Sequence, residues 1–136
     1  MDPEGSTLTV PAAINSAGQI TGWYADKRDQ LNGFLRTMNG TIITFSVPGS
    51  PSTIAQAIDS AGEITGTYRD TNNQYHGFLR KKDGSFTTLD VPGSIFTSAQ
   101  AISTGGEITG DYSDDGFHFH GLLLPAGQTK HDLSQH

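Results

Sequence analysis

The sequence predicts an all-β protein built from three 44-residue units, each a four-stranded antiparallel meander with the layout of a β-propeller blade. Three observations carry this. Copies begin at Ala13, Ala57 and Ala101, each 44 residues after the last, and 24 of 44 positions are identical between the first two. Between the second and third, 12 of 24 positions match up to Leu124. A fixed period of this length marks an array of supersecondary units. Composition agrees, because 17 glycines and only 16% charged residues suit a turn-rich β protein. Finally, Asn39-Gly40 and Asp83-Gly84 sit at the same place in their copies, and such pairs are the strongest short hairpin signal.

Taken in order, residues 1–6 read as a disordered lead. Thr7 to Val10 is a short strand candidate that resembles the strand ends at 44–48 and 88–92. Residues 1–12 are therefore expected to be a leading strand, the tail of an earlier unit. Repeats 13–56, 57–100 and 101–136 follow within a single domain, the last degraded at its end. The first strand of each copy is short and made of small residues, as at Ala55 to Ile58 and Ala99 to Ile102. The turn after it opens on Asn15, Asp59 or Ser103 and closes on Gly18, Gly62 or Gly106, the chemistry of a type I turn with a left-handed last residue.

Second strands are expected at Gln19 to Tyr24, Glu63 to Tyr68 and Glu107 to Tyr112. Alternation puts Ile64, Gly66 and Tyr68 on one face and Thr65 and Thr67 on the other. The position held by Trp23, Thr67 and Asp111 varies freely and is expected to meet solvent. A polar loop leads to third strands at Leu31 to Arg36, Tyr75 to Arg80 and Phe119 to Leu124. These carry large apolar groups on both faces, so both faces should be covered. Fourth strands, Thr41 to Val47 and Ser85 to Val91, end at Pro48 and Pro92. The third copy offers only a weak equivalent at Thr129 to Leu133.

A ring of three blades does not close comfortably, since propellers typically have four or more. Two chains of three units would make six, with the leading strand of one chain completing a unit of another. A homo-oligomer, as a two-chain ring or a filament, is the expected state. The rival architecture is a β-trefoil or β-prism with threefold pseudo-symmetry, in which Thr7 to Val10 pairs within its own chain.

A net charge of −6 argues against nucleic acid, whose binding rests on Lys and Arg. There is no cysteine, so no disulfide framework and no thiol chemistry. No apolar run approaches the roughly 20 residues of a membrane span, so membrane insertion is not expected. The first ten residues carry no basic and apolar segments of the signal-peptide kind.

At Asn32-Gly33-Phe34, His76-Gly77-Phe78 and His120-Gly121-Leu122 the chain resembles the bacterial extracellular repeat named for a His-Ala-Phe (HAF) motif. That motif is paired with an upstream pattern matched here by residues 13–22, AINSAGQITG, and by their copies. The resemblance covers about Ala13 to Leu124, with Gly in place of the Ala. It implies a secreted or surface-exposed repeat protein and carries no activity with it.

Three sets of side chains recur in register. Tyr24, Tyr68 and Tyr112 could be sugar-stacking platforms, although their phase with Ile20, Ile64 and Ile108 points to packing. Asp26, Asp70 and Asp114 are each followed six residues later by Asn32, His76 and His120. Such pairs could hold a hydroxylated ligand, while the plainer reading has the Asp opening a turn and the His capping a strand. His118 and His120 alternate onto one strand face, a spacing that can supply two zinc ligands, with Asp114 or Asp115 as a third. No nucleophile elbow, phosphate-cradling loop or metalloprotease helix is present, and no cofactor is expected. Polar positions that repeat threefold suit repeated binding better than one asymmetric active site. The expectation is a non-enzymatic extracellular module, acting as a binding or self-assembly scaffold. A lectin-like glycan binder is the first alternative and a glycan-acting or metal-dependent hydrolase the second.

Overall fold

The computed structural model describes residues 1–125. The described residues form eleven strands and no helix. They are β1 (Leu8–Ile14), β2 (Ile20–Ala25), β3 (Leu31–Arg36), β4 (Ile42–Phe45), β5 (Ser52–Ile58), β6 (Ile64–Arg69), β7 (Tyr75–Arg80), β8 (Phe86–Leu89), β9 (Phe96–Ile102), β10 (Ile108–Ser113) and β11 (His120–Leu124). All belong to one open mixed sheet. Strands β1, β5 and β9 begin at Leu8, Ser52 and Phe96, and β2, β6 and β10 at Ile20, Ile64 and Ile108. The 44-residue step of the sequence is thus also the step between strand starts. The weak strand expected at Thr129 to Leu133 lies outside the described residues.

The all-β expectation holds, and the first strand is where the structure differs from it. Thr7 to Val10 is not a spare strand. β1 runs from Leu8 through the expected boundary at residue 12 to Ile14, and it pairs antiparallel with β2 from Leu8↔Ala25 to Ile14↔Ile20. The likeness to the fourth-strand ends misled because it rests on three or four residues of strand-forming type. β5 and β9 likewise start three residues earlier than the small-residue pattern suggested. In those two strands Thr53 and Thr97 begin the chain's return: each hydroxyl accepts the amide of Val47 or Val91, at 3.1 and 3.3 Å.

Within each group the strands form a meander, and the groups are joined by a fork. β3 pairs antiparallel with β4 over Gly33 to Arg36, but at its other end it pairs parallel with β5 at Leu31↔Ser52 alone. β7 does the same with β8 and, at Tyr75↔Phe96, with β9. A single pair is a hinge rather than a ladder, so β5 swings over the face of β2, and β9 over the face of β6.

Two apolar cores fill the spaces so made. Leu35 and Val47 of the first group meet Ala55, Ile58, Ile64 and Phe78 of the second. Leu89 and Val91 of the second group meet Ala99, Ile108, Leu122 and Leu124 of the third, with Leu79, Ile102 and Tyr112 packed alongside. Most positions of one core are those of the other moved by 44. This explains why the third strand of the middle group is apolar on both faces: Phe78 lies in the core shared with the first group and Leu79 packs on the core shared with the third.

One local device recurs. Register slips between Pro11 and Ala13 in β1 and between Ala55 and Ala57 in β5, opposite Gly22 and Gly66. A Cβ on Gly66 would lie 2.0 Å from the Ile54 carbonyl oxygen and 2.8 Å from the Phe78 ring. The Ile-Thr-Gly run of each second strand is therefore a bulge acceptor, with glycine where the opposing backbone presses in.

Candidate functional site

The loops between second and third strands hold most of the polar residues singled out above, and Asp70 shows how. Its Oδ1 accepts the amides of Asn72 and Gln74 at 2.8 and 3.0 Å, closing the turn. That geometry leaves Oδ2 pointing back over β7. His76 Nε2 meets it at 2.7 Å, while His76 Nδ1 meets Asp90 Oδ2 at 2.7 Å and Oδ1 at 2.9 Å. Carboxylates only accept, so this geometry favours the protonated ring, which can donate from both nitrogens. Tyr68 stacks on it at 4.9 Å between centroids and bonds Thr88 Oγ1 through its own hydroxyl at 2.9 Å.

Charge follows geometry. Burial alone would lower the pKa of His76, but the hydrogen bonds and charges of Asp70 and Asp90 outweigh it and raise it. The hydrogen bond from His76, then the amides of Gln74 and Asn72, hold the Asp70 carboxyl below its usual range. Burial, helped by the nearby Asp90 and Asp70, pushes the Tyr68 phenol up against the bond to Thr88.

The first loop builds a version in which an uncharged Asn32–Ser46 pair stands where the second has His76 and Asp90. Asp26 Oδ1 accepts the amides of Arg28 and Gln30, Asn32 Nδ2 donates to Asp26 Oδ2 at 3.2 Å, and the Ser46 hydroxyl donates to Asn32 Oδ1 at 2.6 Å. Slight burial raises the Asp26 pKa, and the donated hydrogen bonds overcome this to lower it. Asn32–Ser46 and His76–Asp90 are thus interchangeable pairs at one place, and both link the loop to the end of the fourth strand.

The third loop is different. The structure brings Asp70 to His76 and Asp26 to Asn32, but it does not bring Asp114 to His120. Asp115 takes the capping role instead, accepting the amides of Phe117 and His118 at 2.8 and 2.9 Å, with His118 Nδ1 on its other oxygen at 2.7 Å. The His118 hydrogen bond is the main cause of a strongly lowered Asp115 pKa. The left-handed residue of this loop is Gly116 (φ 80°), one position before the place held by Asp29 (φ 61°) and Asn73 (φ 64°) in the other two loops. Among the described residues, His120 keeps the ring contact to Tyr112, at 5.1 Å. With His118 turned to Asp115 and His120 to Tyr112, the two do not converge, and no group of three metal-ligating side chains forms among the described residues.

The tyrosines follow the packing reading: Tyr24 is buried, and Tyr68 and Tyr112 are half-buried against their neighbours. The varied position expected in solvent is not there in the second unit. Thr67 is buried where β6 faces β9, with its Oγ1 2.7 Å from Ser98 Oγ and 3.3 Å from Gln56 Oε1. Asp90 and Ser46 went unnoticed as members of the clusters, although the change from Asn32 to His76 is matched by one from Ser46 to Asp90. A row of rings also escaped the sequence reading: Tyr75 lies 5.5 Å from Phe96, which lies 5.3 Å from Phe119.

No protein-family model matches the chain, and no curated protein matches it at significance.

Proposed function

We propose that the chain is a non-enzymatic module of stacked, blade-like repeats whose work is binding and self-assembly, secreted or surface-exposed as its resemblance to HAF repeats implies. The observation that carries this is the pair of inter-unit cores, in which Leu35, Val47, Ala55 and Ile64 are replaced 44 residues on by Leu79, Val91, Ala99 and Ile108. A surface that one unit uses to hold the next is the working part of an array. The recurring polar residues support the same reading. The oxygens of Asp26 and Asp70 are taken up by their own loops and by Asn32 and His76, so these clusters fasten strands rather than present open groups to a glycan.

The test is to insert a second copy of residues 52–95 between Ile95 and Phe96. A stacked array accepts a fourth unit: the longer chain should fold, give a dispersed NMR spectrum and melt no lower than the parent. A trefoil or prism closed on three units has no room for it, and loss of folding would reject the repeat-array reading. A glycan array run on the parent chain separates the lectin-like alternative. That alternative gains if Asp70→Ala with His76→Ala abolishes binding while the melting temperature stays put.

A further inference from the structure

The two joints within the chain have the same parts. A third-strand start pairs with a first-strand start, Leu31 with Ser52 and Tyr75 with Phe96. Behind the first pair Ala13 and Leu35 lie against the next unit, and behind the second Leu79 does, while Thr21 and Thr65 of the same units are fully buried. On the receiving side, Ala55 and Ile58 are buried in the first joint.

Both halves of such a joint are present a third time, at the two ends of the array, and among the described residues neither has a unit docked on it. At the tail, Phe119 and Leu123 are 52% and 45% exposed, and Thr109 and Ala101 are exposed where Thr21 and Thr65 are fully buried. Ala101, Ile102, Ile108, Thr109 and Leu123 line an open groove of about 330 Å³ there. At the head, Leu8 is 53% exposed and Ile14 is 67% exposed, although its counterpart Ile58 is 8% exposed. Leu8 stands one period before Ser52, the residue that Leu31 pairs with. In the same register, the partner of Phe119 is a Leu8. The row Tyr75–Phe96–Phe119 would then gain a fourth apolar member.

We propose that the tail face of one chain docks on the head face of a second copy, in the register that joins units within the chain. This deepens the stacked-repeat reading above and rests on it. The contact is heterologous, tail to head, so it closes into a two-chain ring of six units or continues as a filament. Exposed apolar groups of this size on matched surfaces are what such a contact buries. The strand exchange expected from the sequence is not needed, because β1 already pairs with β2 in its own chain. What is exchanged is a face.

Light scattering of the full chain tests this, together with the variants Leu123→Arg and Ile14→Arg. Both substitutions fall at exposed positions, so each variant should melt within a few degrees of the parent. The parent should scatter at twice the chain mass, or at a mass that climbs with concentration. Each variant alone should be monomeric. An equimolar mixture of the two should regain a two-chain species, because one chain retains its tail and the other its head. A parent that stays monomeric up to its solubility limit overturns the proposal. So does a parent dimer that Leu123→Arg abolishes and Ile14→Arg leaves intact, since that is a tail-to-tail pair. If the parent is monomeric while the chain with the inserted unit folds, docking fails and the repeat array stands. If insertion abolishes folding while the parent dimer still shows the complementation, the array fails, and the tail-to-head contact stands without the register taken from it.

Discussion

At Thr65 the fold buries a hydroxyl that has no hydrogen-bond partner among the described residues. Its equivalents do better. Thr21 donates to the Phe34 carbonyl at 2.8 Å and Thr109 to the Leu122 carbonyl at 3.0 Å. A buried, unpaired hydroxyl keeps its desolvation cost with no bond to offset it. Thr65→Val keeps the β-branched shape and should raise stability by about 1 kcal/mol, whereas Thr21→Val should lower it by about 1 kcal/mol. Urea midpoints of the two variants check this, and an equal loss in both would mean that Thr65 does make a bond. Single residues of this kind were only partly legible. Period-2 alternation places Thr21, Thr65 and Thr109 on one face, but nothing in it says which of three identical threonines goes unpaired. Thr67 was misread for a related reason: variation among Trp23, Thr67 and Asp111 looks like solvent tolerance until the facing strand is known. The link between His76 and Asp90 was written in the sequence as a paired change between copies, and it needed only the two copies to be compared position by position.

At the scale of the element, the His76 bridge ties the loop after β6 to the residue after β8, and it does so with charge. An imidazole whose pKa rises on folding adds stability that is complete below its unfolded value, about 6.5, and is lost as pH climbs through the raised folded value. Asp70, lowered on folding, adds stability that is complete above its unfolded value, about 3.9, and is lost as pH falls through the lowered one. The bridge therefore contributes most between about pH 4 and 6.5. Unfolding in urea should show a midpoint that drops from pH 6 to pH 9. His76→Asn copies the first loop, keeps one bond to Asp70 and removes the titrating ring. It should cost about 1 kcal/mol at pH 6, nothing further at pH 9, and flatten the slope between them. The same alkaline drop persisting in His76→Asn would assign the slope to another group. The elements themselves were largely legible, because Gly, Asn and Asp mark the turns and alternation marks the strands between. Boundaries failed where composition changes inside a strand. β1 crosses Pro11, and β5 begins in a Gly-Ser-Pro-Ser stretch that reads as loop. A bulge opposite glycine is what lets a strand carry such residues.

For the whole molecule, the decisive feature is that neither core lies within a meander. Every strand pairs with a sequence neighbour, and so the hairpins are local and cheap to form. The burial that stabilises them is not local. Phe78 and Ile64 are covered by Leu35 and Val47 from the preceding unit, and Leu122 and Ile108 by Leu89 and Val91. A meander alone would expose one or both apolar faces, which a sheet of three or four short strands cannot withstand. Residues 52–95 on their own, which lack Leu35 and Val47, should thus lack NMR dispersion and a cooperative melt. Residues 1–95 contain one complete joint, from Leu35 and Val47 to Ile64 and Phe78, and they should fold at a lower melting temperature than the full chain. Stability in such an array grows with the number of joints rather than the number of units. One unit has none, two have one and three have two, so each added unit brings one further joint. A dispersed spectrum from residues 52–95 would place the stabilising burial inside the meander and refute the account of both cores.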